Sequence, residues 1–235
     1  MIVELLGRLP LPWLTMVAAA LTIPTSPARA ELVLSQLVVE LGTPAQHRAD
    51  IEIWNNSEER AYVSVEPSEI VHPGTPAELR RSEADPEKRG LLVSPTRMIL
   101  EPGQRRQMRF APVGPREARE RVYRVTIKPV AGPLSAAETG LKLLVGYDVL
   151  VLLRPADLRS NLVARRVDGR LTFRNEGNAS LELIDGRQCV AGRNNCTPLP
   201  GKRLYAGAEW SQELPSTAPV DYPIVSNGQS SRRTY

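Results

Sequence analysis

Two cysteines, Cys189 and Cys196, and two histidines, His47 and His72, are the only thiols and imidazoles in the chain. Thiols this close in sequence pair in an oxidising compartment. Closing so short a loop is worth roughly 2–3 kcal/mol in the chain-entropy view. Free thiols and a zinc site are the alternatives, and no histidine lies nearby to complete a zinc ligand set. His47 and His72 sit among turn-forming residues with no Ser or Cys nucleophile motif around them. Gly-x-Ser-x-Gly, His-Glu-x-x-His and a phosphate-cradling Gly loop are missing from the sequence. The carboxylate pairs Glu58-Glu59 and Glu66/Glu69 read as polar loop decoration. The expectation is a protein that is not an enzyme and holds no metal.

The remaining chemistry is association. From Leu141 to Leu153 every odd position is apolar, while the even positions begin mixed (Lys142, Leu144, Gly146, Asp148) and finish apolar (Leu150, Leu152). Period-2 patterning predicts a strand. At this length it would run roughly 40 Å, well beyond a usual strand. Its first half would outrun its neighbours and offer apolar side chains and unpaired backbone at a sheet edge. Such an edge is an aggregation hazard unless it exists to pair with another protein. The competing reading buries the whole strand inside its own sandwich.

The elements that would hold this strand lie after a leader. Arg8, the apolar run Leu11–Ile23 and the small-residue site Ala28-Arg29-Ala30 predict a secretory signal peptide over residues 1–30. The run is short for a membrane anchor, and no second one follows, so stable membrane insertion is not expected. Cleavage would leave 205 of the 235 residues, enough for one large or two ordinary domains. Setting aside Arg8, Arg29 and Glu4 lowers the formal net charge from +4 to +3. This mild excess, with little aromatic interleaving, argues against a nucleic-acid partner.

Short alternating runs follow one another without an amphipathic helix. They are Leu32–Leu41, Ala49–Trp54, Ala61–Pro67, Leu91–Ser94, Arg97–Leu100, Arg105–Ala111, Val122–Val130 and the long Leu141–Leu153 run. Asn55-Asn56-Ser57, Glu101-Pro102-Gly103 and Ala131-Gly132-Pro133 supply turns between them. A second series runs through Asn161–Val167, Leu171–Arg174, Ala179–Ile184, Trp210–Leu214 and Asp221–Val225, with turns at Asp168-Gly169 and Asn175–Asn178. The fold class expected is all-β: two immunoglobulin-like sandwiches over residues 31–154 and 155–235, the second smaller. Residues 72–89 read as a long polar surface loop, and 226–235 as a fraying tail.

Five pieces of this pattern, in order, resemble the periplasmic chaperones of the chaperone–usher pilus pathway. They are Ile51–Asn56; Val93-Ser94-Pro95 through Glu101-Pro102-Gly103, followed by Gln107 and Arg109; Glu120–Ile127; the long strand closed by Arg154-Pro155; and Phe173–Asn178. The resemblance implies two immunoglobulin-like domains and no cofactor. Its partners would be pilin or fimbrial subunits and an outer-membrane usher. It implies that the long strand is lent to a subunit that lacks its own last strand, in the periplasm. Leu141, Leu143, Val145 and Tyr147 are then the donor candidates, with Val149–Leu153 as core.

One departure stands out. The family anchors the subunit's C-terminal carboxylate with an Arg on the first strand and a Lys on the long strand. Those positions fall here near Leu37, Val38 or Val39 and at Leu150, none of them basic. Lys142, Arg124 and Lys128 are the substitutes. Arg105, Arg106 and Arg109, and Arg116, Arg119 and Arg121, read as solvated faces or, alternatively, as contacts for the usher. The rival function is a structural or binding β-sandwich module of a secreted surface-fibre complex. It differs in where strand exchange occurs, since a pilin would carry its donor at the N-terminus.

Overall fold

A computed structural model describes residues 32–42, 47–130, 144–190 and 196–235. The expected leader, Leu141, Lys142 and Leu143 lie outside the described residues. The strands are β1 (Leu32–Leu34), β2 (Val38–Leu41), β3 (Ala49–Asn55), β4 (Ala61–Val71), β5 (Leu79–Ser82), β6 (Leu91–Ser94), β7 (Arg97–Leu100), β8 (Arg105–Pro112), β9 (Arg121–Val130) and β10 (Tyr147–Leu153). After Arg154-Pro155 come β11 (Leu162–Val167), β12 (Arg170–Asn175), β13 (Leu181–Leu183), β14 (Gly186–Cys189), β15 (Cys196–Leu199), β16 (Lys202–Leu204), β17 (Glu209–Glu213), β18 (Val220–Ser226) and β19 (Gln229–Thr234). One short helix, α1 (Pro86–Arg89), lies between β5 and β6.

The first sandwich packs a four-stranded sheet, β1-β3-β8-β6, on a six-stranded sheet, β2-β10-β9-β4-β5 with β7 also on β4. Alternation decides which side chains meet between them. Ile51 and Ile53 of β3, Val63 and Val65 of β4, Met108 and Phe110 of β8, and Val125 and Ile127 of β9 all point into one buried core. Leu32–Leu41 is not one strand. The chain crosses between sheets after β1, so that β1 pairs antiparallel with β3 while β2 pairs parallel with β10. The second pair of sheets, β11-β12-β17 and β15-β14-β18-β13-β16 with β19 on β18, encloses Phe173. Trp210 stacks on Phe173, and Tyr222 and Tyr235 meet it edge-on at 5.2 and 5.1 Å. Such aromatic clusters add to the area they bury. Both sandwiches are immunoglobulin-like, and the chain is nearly all β.

Two further stretches differ from expectation. Residues 72–89 are not a loop throughout, because β5 pairs with the far half of β4 and α1 follows. Asp85 caps α1 by accepting from the Glu87 amide, Pro86 opens it, and Gly90 closes it in the left-handed region. The tail does not fray before Thr234: β19 forms a hairpin on β18, with its side chains exposed. In both stretches the backbone pairs without an apolar face, so hydrophobic periodicity is silent.

Candidate functional site

Strand β10 changes character along its length. Val149, Val151 and Leu153 point into the first core, while Leu150 and Leu152 point out of the sandwich. The outer pair is nonetheless buried, in a second cluster with Ile70, Val122 and the second sandwich's Tyr205. Burial on both faces explains why the even positions turn apolar after Asp148. It also bears on the expected anchor position, since Leu150 is 5% exposed under this apolar cover.

The other end of β10 is open. Pairing with β9 starts at Tyr147 opposite Ile127, whereas pairing with β2 starts only at Leu150 opposite Val38. Tyr147–Val149 therefore carry an unpaired backbone edge on the β2 side, among the described residues. Leu144–Gly146 precede the strand and are not part of it, so the strand that periodicity places at Leu141 starts at Tyr147 within the described residues. Val145 is 59% exposed, and Leu37 and Val38 on the β2 edge are 50% and 42% exposed. Tyr147 is half-buried against the core, and its hydroxyl donates to the Leu32 carbonyl at 2.7 Å. It bridges β10 to β1, across the open side of the sandwich.

The two basic candidates among the described residues, Lys128 and Arg124, are partnered. Lys128 donates to Glu66 at 3.0 Å, and this hydrogen bond holds the Glu66 carboxyl below its ordinary range. Arg124 lies 3.9 Å from Asp148 and donates to its backbone carbonyl. Arg80, which sequence reasoning missed, joins it. Its guanidinium donates to Asp148 at 2.9 Å and to the Thr126 hydroxyl at 2.8 Å. Two guanidiniums thus converge on one exposed carboxylate at the open end of β10. Arg80 lay inside the segment read as loop, and only its pairing on β4 brings it here.

The arginine groups divide. Arg105 and Arg109 pair across the strands with Glu52 and Asp50, and Arg109 holds the Asp50 carboxyl below its ordinary range. Arg121 donates to Glu69 at 2.8 Å and to the Arg89 carbonyl at 2.7 Å. Arg116 reaches the Gly42 carbonyl. Arg106 instead borders an exposed apolar row, in which Val130 of β9 and Ile99 of β7 flank Tyr62 of β4. This row is on the far side of the sheet from β2.

Where β10 ends, Arg154 joins the two sandwiches. Its buried guanidinium donates to Glu40 at 2.8 Å, to the Ser180 carbonyl at 3.0 Å and to Glu120. Glu120 also accepts from the Ser180 amide at 3.1 Å. Burial pushes the Glu120 carboxyl above its ordinary range, and the attraction of Arg154 and the Ser180 bonds offset this only in part. Cys189 and Cys196 form a disulfide that links β14 to β15. Among the described residues no cluster of three or more His, Cys, Asp or Glu is placed to hold a metal. No helix among them is long and apolar enough to cross a membrane.

No protein-family model matches the chain. An Escherichia coli protein named "Probable fimbrial chaperone EcpE" is 30% identical over 139 residues, which is 56% of this chain and 56% of that protein. The match thus spans little more than half the length of the relative. Among solved structures, the class 5 fimbriae chaperone CfaA superposes with a TM-score of 0.65 at 19% identity, covering 86% of this chain and 98% of that one. A chain of the Salmonella enterica SafA pilin–SafB chaperone complex gives 0.61 at 17% identity, covering 89% and 98%. The chain is thus similar to fimbrial chaperones in sequence over about half its length and in fold over most of it, at the low identity of a divergent relative.

Proposed function

We propose that this chain is a periplasmic chaperone that binds fimbrial subunits by lending them the strand 141–153 and passes them to an outer-membrane usher. The observation that carries the reading is the half-open β10. Its buried end, Leu150–Leu153, is clamped between β2 and β9, while Tyr147–Val149 have no strand partner on the β2 side and Val145, Leu37 and Val38 are exposed beside them. A subunit strand added there would gain main-chain hydrogen bonds, and the apolar side chains would set its register. Each aliphatic side chain buried would contribute roughly 1.5–3 kcal/mol.

Leu141, Leu143, Val145 and Tyr147 remain the donor residues of this reading. Tyr147, already half-buried, acts as the innermost of them. Arg124, with Lys128 and Lys142 as alternatives, holds the subunit's terminal carboxylate. Arg80 supports Arg124, because both already bind a carboxylate at Asp148. The usher would meet the Tyr62–Ile99–Val130 row beside Arg106, on the side of the sheet away from the subunit. The leader 1–30 would direct export, and the sandwiches would join at Arg154-Pro155.

The test is co-expression of the chain with neighbouring fimbrial subunit genes in a periplasm, followed by purification through a tag on this chain. A one-to-one complex is expected. Val145→Glu plus Leu143→Glu should abolish it while leaving the melting temperature within a few degrees. No complex, or one indifferent to both positions, would leave a β-sandwich binding module as the better description.

A further inference from the structure

The end of the β9–β10 ladder has an unusual contact. Strand β9 runs on to Val130, but β10 stops pairing with it at Tyr147 opposite Ile127. Gly146, the next residue outward, does not simply continue the ladder at a normal spacing. A Cβ built on it would lie 2.9 Å from the Ile127 carbonyl oxygen, 2.9 Å from the Lys128 Cβ and 3.2 Å from the Lys128 Cα. Facing side chains in a regular antiparallel pair keep their Cβ atoms about 4.5–5.5 Å apart. The backbone at Gly146 therefore presses onto β9 more closely than any residue with a side chain could. Immediately beyond it Val145 stands exposed, and Lys128–Val130 are left without a β10 partner among the described residues.

We propose that Gly146 is the positioning residue of the subunit-binding strand: lacking a Cβ, it lets the chain lie against Lys128 at the end of the ladder, and this contact sets the direction in which Val145 is presented. The inference rests on the donor-strand reading for its function, but the contact itself does not. A side chain at 146 must lift the backbone from β9, because two of the three obstructing atoms are main-chain atoms that cannot rotate away. Lifting it loosens the first pairs of the ladder, at Tyr147 and Asp148. It also turns Val145 away from the open edge between β10 and β1. The core below, from Val149 inward, is untouched.

Three variants of the full chain test this: Gly146→Ala, the same change with Lys128→Ala, and the same change with Lys128→Gly. Lys128→Ala and Lys128→Gly alone serve as controls. Lys128→Ala removes the Glu66 ion pair but keeps the obstructing Cβ, whereas Lys128→Gly removes both. Amide hydrogen exchange of the free chain at Tyr147, whose N–H faces β9, should speed about tenfold in Gly146→Ala, the strain of one forced backbone contact. It should stay fast with Lys128→Ala and return only in part with Lys128→Gly, because the Ile127 carbonyl oxygen remains in the way. Affinity for the co-expressed fimbrial subunit should fall and recover in the same order, with melting temperatures within a few degrees of one another. Unchanged exchange in Gly146→Ala, or equal rescue by both Lys128 changes, would overturn the proposal. If the wild-type chain captures no subunit, the donor-strand reading fails, and the exchange pattern still decides the role of Gly146.

Discussion

Asn55 and Asn175 occupy equivalent corners of the two sandwiches, and both are fully buried. The Asn55 amide donates to the carbonyls of Glu59 and Leu100, and its oxygen accepts from the Ser57 amide. Asn175 donates to Ala179 and Leu204 and accepts from Gly177. Even the backbones agree: Gly103 donates to the Asn55 carbonyl and Gly207 to that of Asn175, each glycine in the left-handed region. One asparagine in each sandwich thus ties the turn after one strand, β3 or β12, to the turn after the fourth strand beyond it, β7 or β16. The surroundings differ. Beyond Asn55 the chain turns into solvent. Beyond Asn175 it reaches the buried Asn178, which donates to the Ala118 and Asp157 carbonyls and accepts from the Arg159 amide. Ser180 then meets Glu120 and Arg154. The same corner that closes a turn in the first sandwich also seats the neighbouring sandwich in the second.

Removing the charge at that seat should have the largest effect. Arg154→Ala leaves Glu120 buried without its cation, and a loss of about 3–5 kcal/mol in urea unfolding is expected. A loss under about 1 kcal/mol would mean that water replaces the guanidinium. Asn55→Ala and Asn175→Ala each strip partners from buried backbone groups and should cost about 2–3 kcal/mol apiece. Equal costs would support the equivalence of the corners. A much larger cost at Asn175 would show that the corner and the seat act as one unit. Asn178→Ala should cost about 1–2 kcal/mol and split the calorimetric transition into two, whereas Asn56→Ala at the matching exposed turn should do neither.

The smallest effect is one of pH. Because the Glu120 carboxyl is held above its ordinary value of 4.5, the folded chain binds that proton more tightly than the unfolded chain. The stabilisation is complete below the ordinary value and is lost as pH rises through the raised one. Glu120→Gln should abolish this slope, so the wild type should lose stability relative to the variant on going from about pH 4 to neutrality. Glu69 runs the other way. Burial raises its carboxyl, but hydrogen bonds from Arg121 and Arg81 outweigh burial and hold it below 4.5. Its contribution is present above that value and is lost as pH falls through the lowered one. A Glu69→Gln titration with the same sign as Glu120→Gln would contradict this assignment.

The sandwich cores were legible because alternation reports a face buried on one side, as in Ile51 and Ile53 or Leu171 and Phe173. The Asp168-Gly169 hairpin was equally plain, with both residues at positive φ. Where strands carry no apolar face, as in β5 and β19, the pattern is silent. Yet Asn227-Gly228, also at positive φ, is the same two-residue turn signal and would have revealed the β18–β19 hairpin. The candidate site was harder to read. Periodicity placed the strand but not its starting point, because Gly146 keeps the alternation in sequence while the chain leaves the ladder in space. Arg80 and Tyr205 reach the site only through tertiary packing, which no local pattern records.

The clamp on β10 has a mechanical consequence. Leu150–Leu153 are paired on both sides at once, parallel to β2 and antiparallel to β9, and the strand runs directly into the Arg154 anchor. A pull on the open end, along the strand axis, loads those two ladders in shear, so many hydrogen bonds share the force together. A partner strand lying only along the open end can instead be peeled away one bond at a time. Under tension the two ends are therefore unequal: a strand paired only along the open end would unzip first, while Leu150–Leu153 hold to both neighbours.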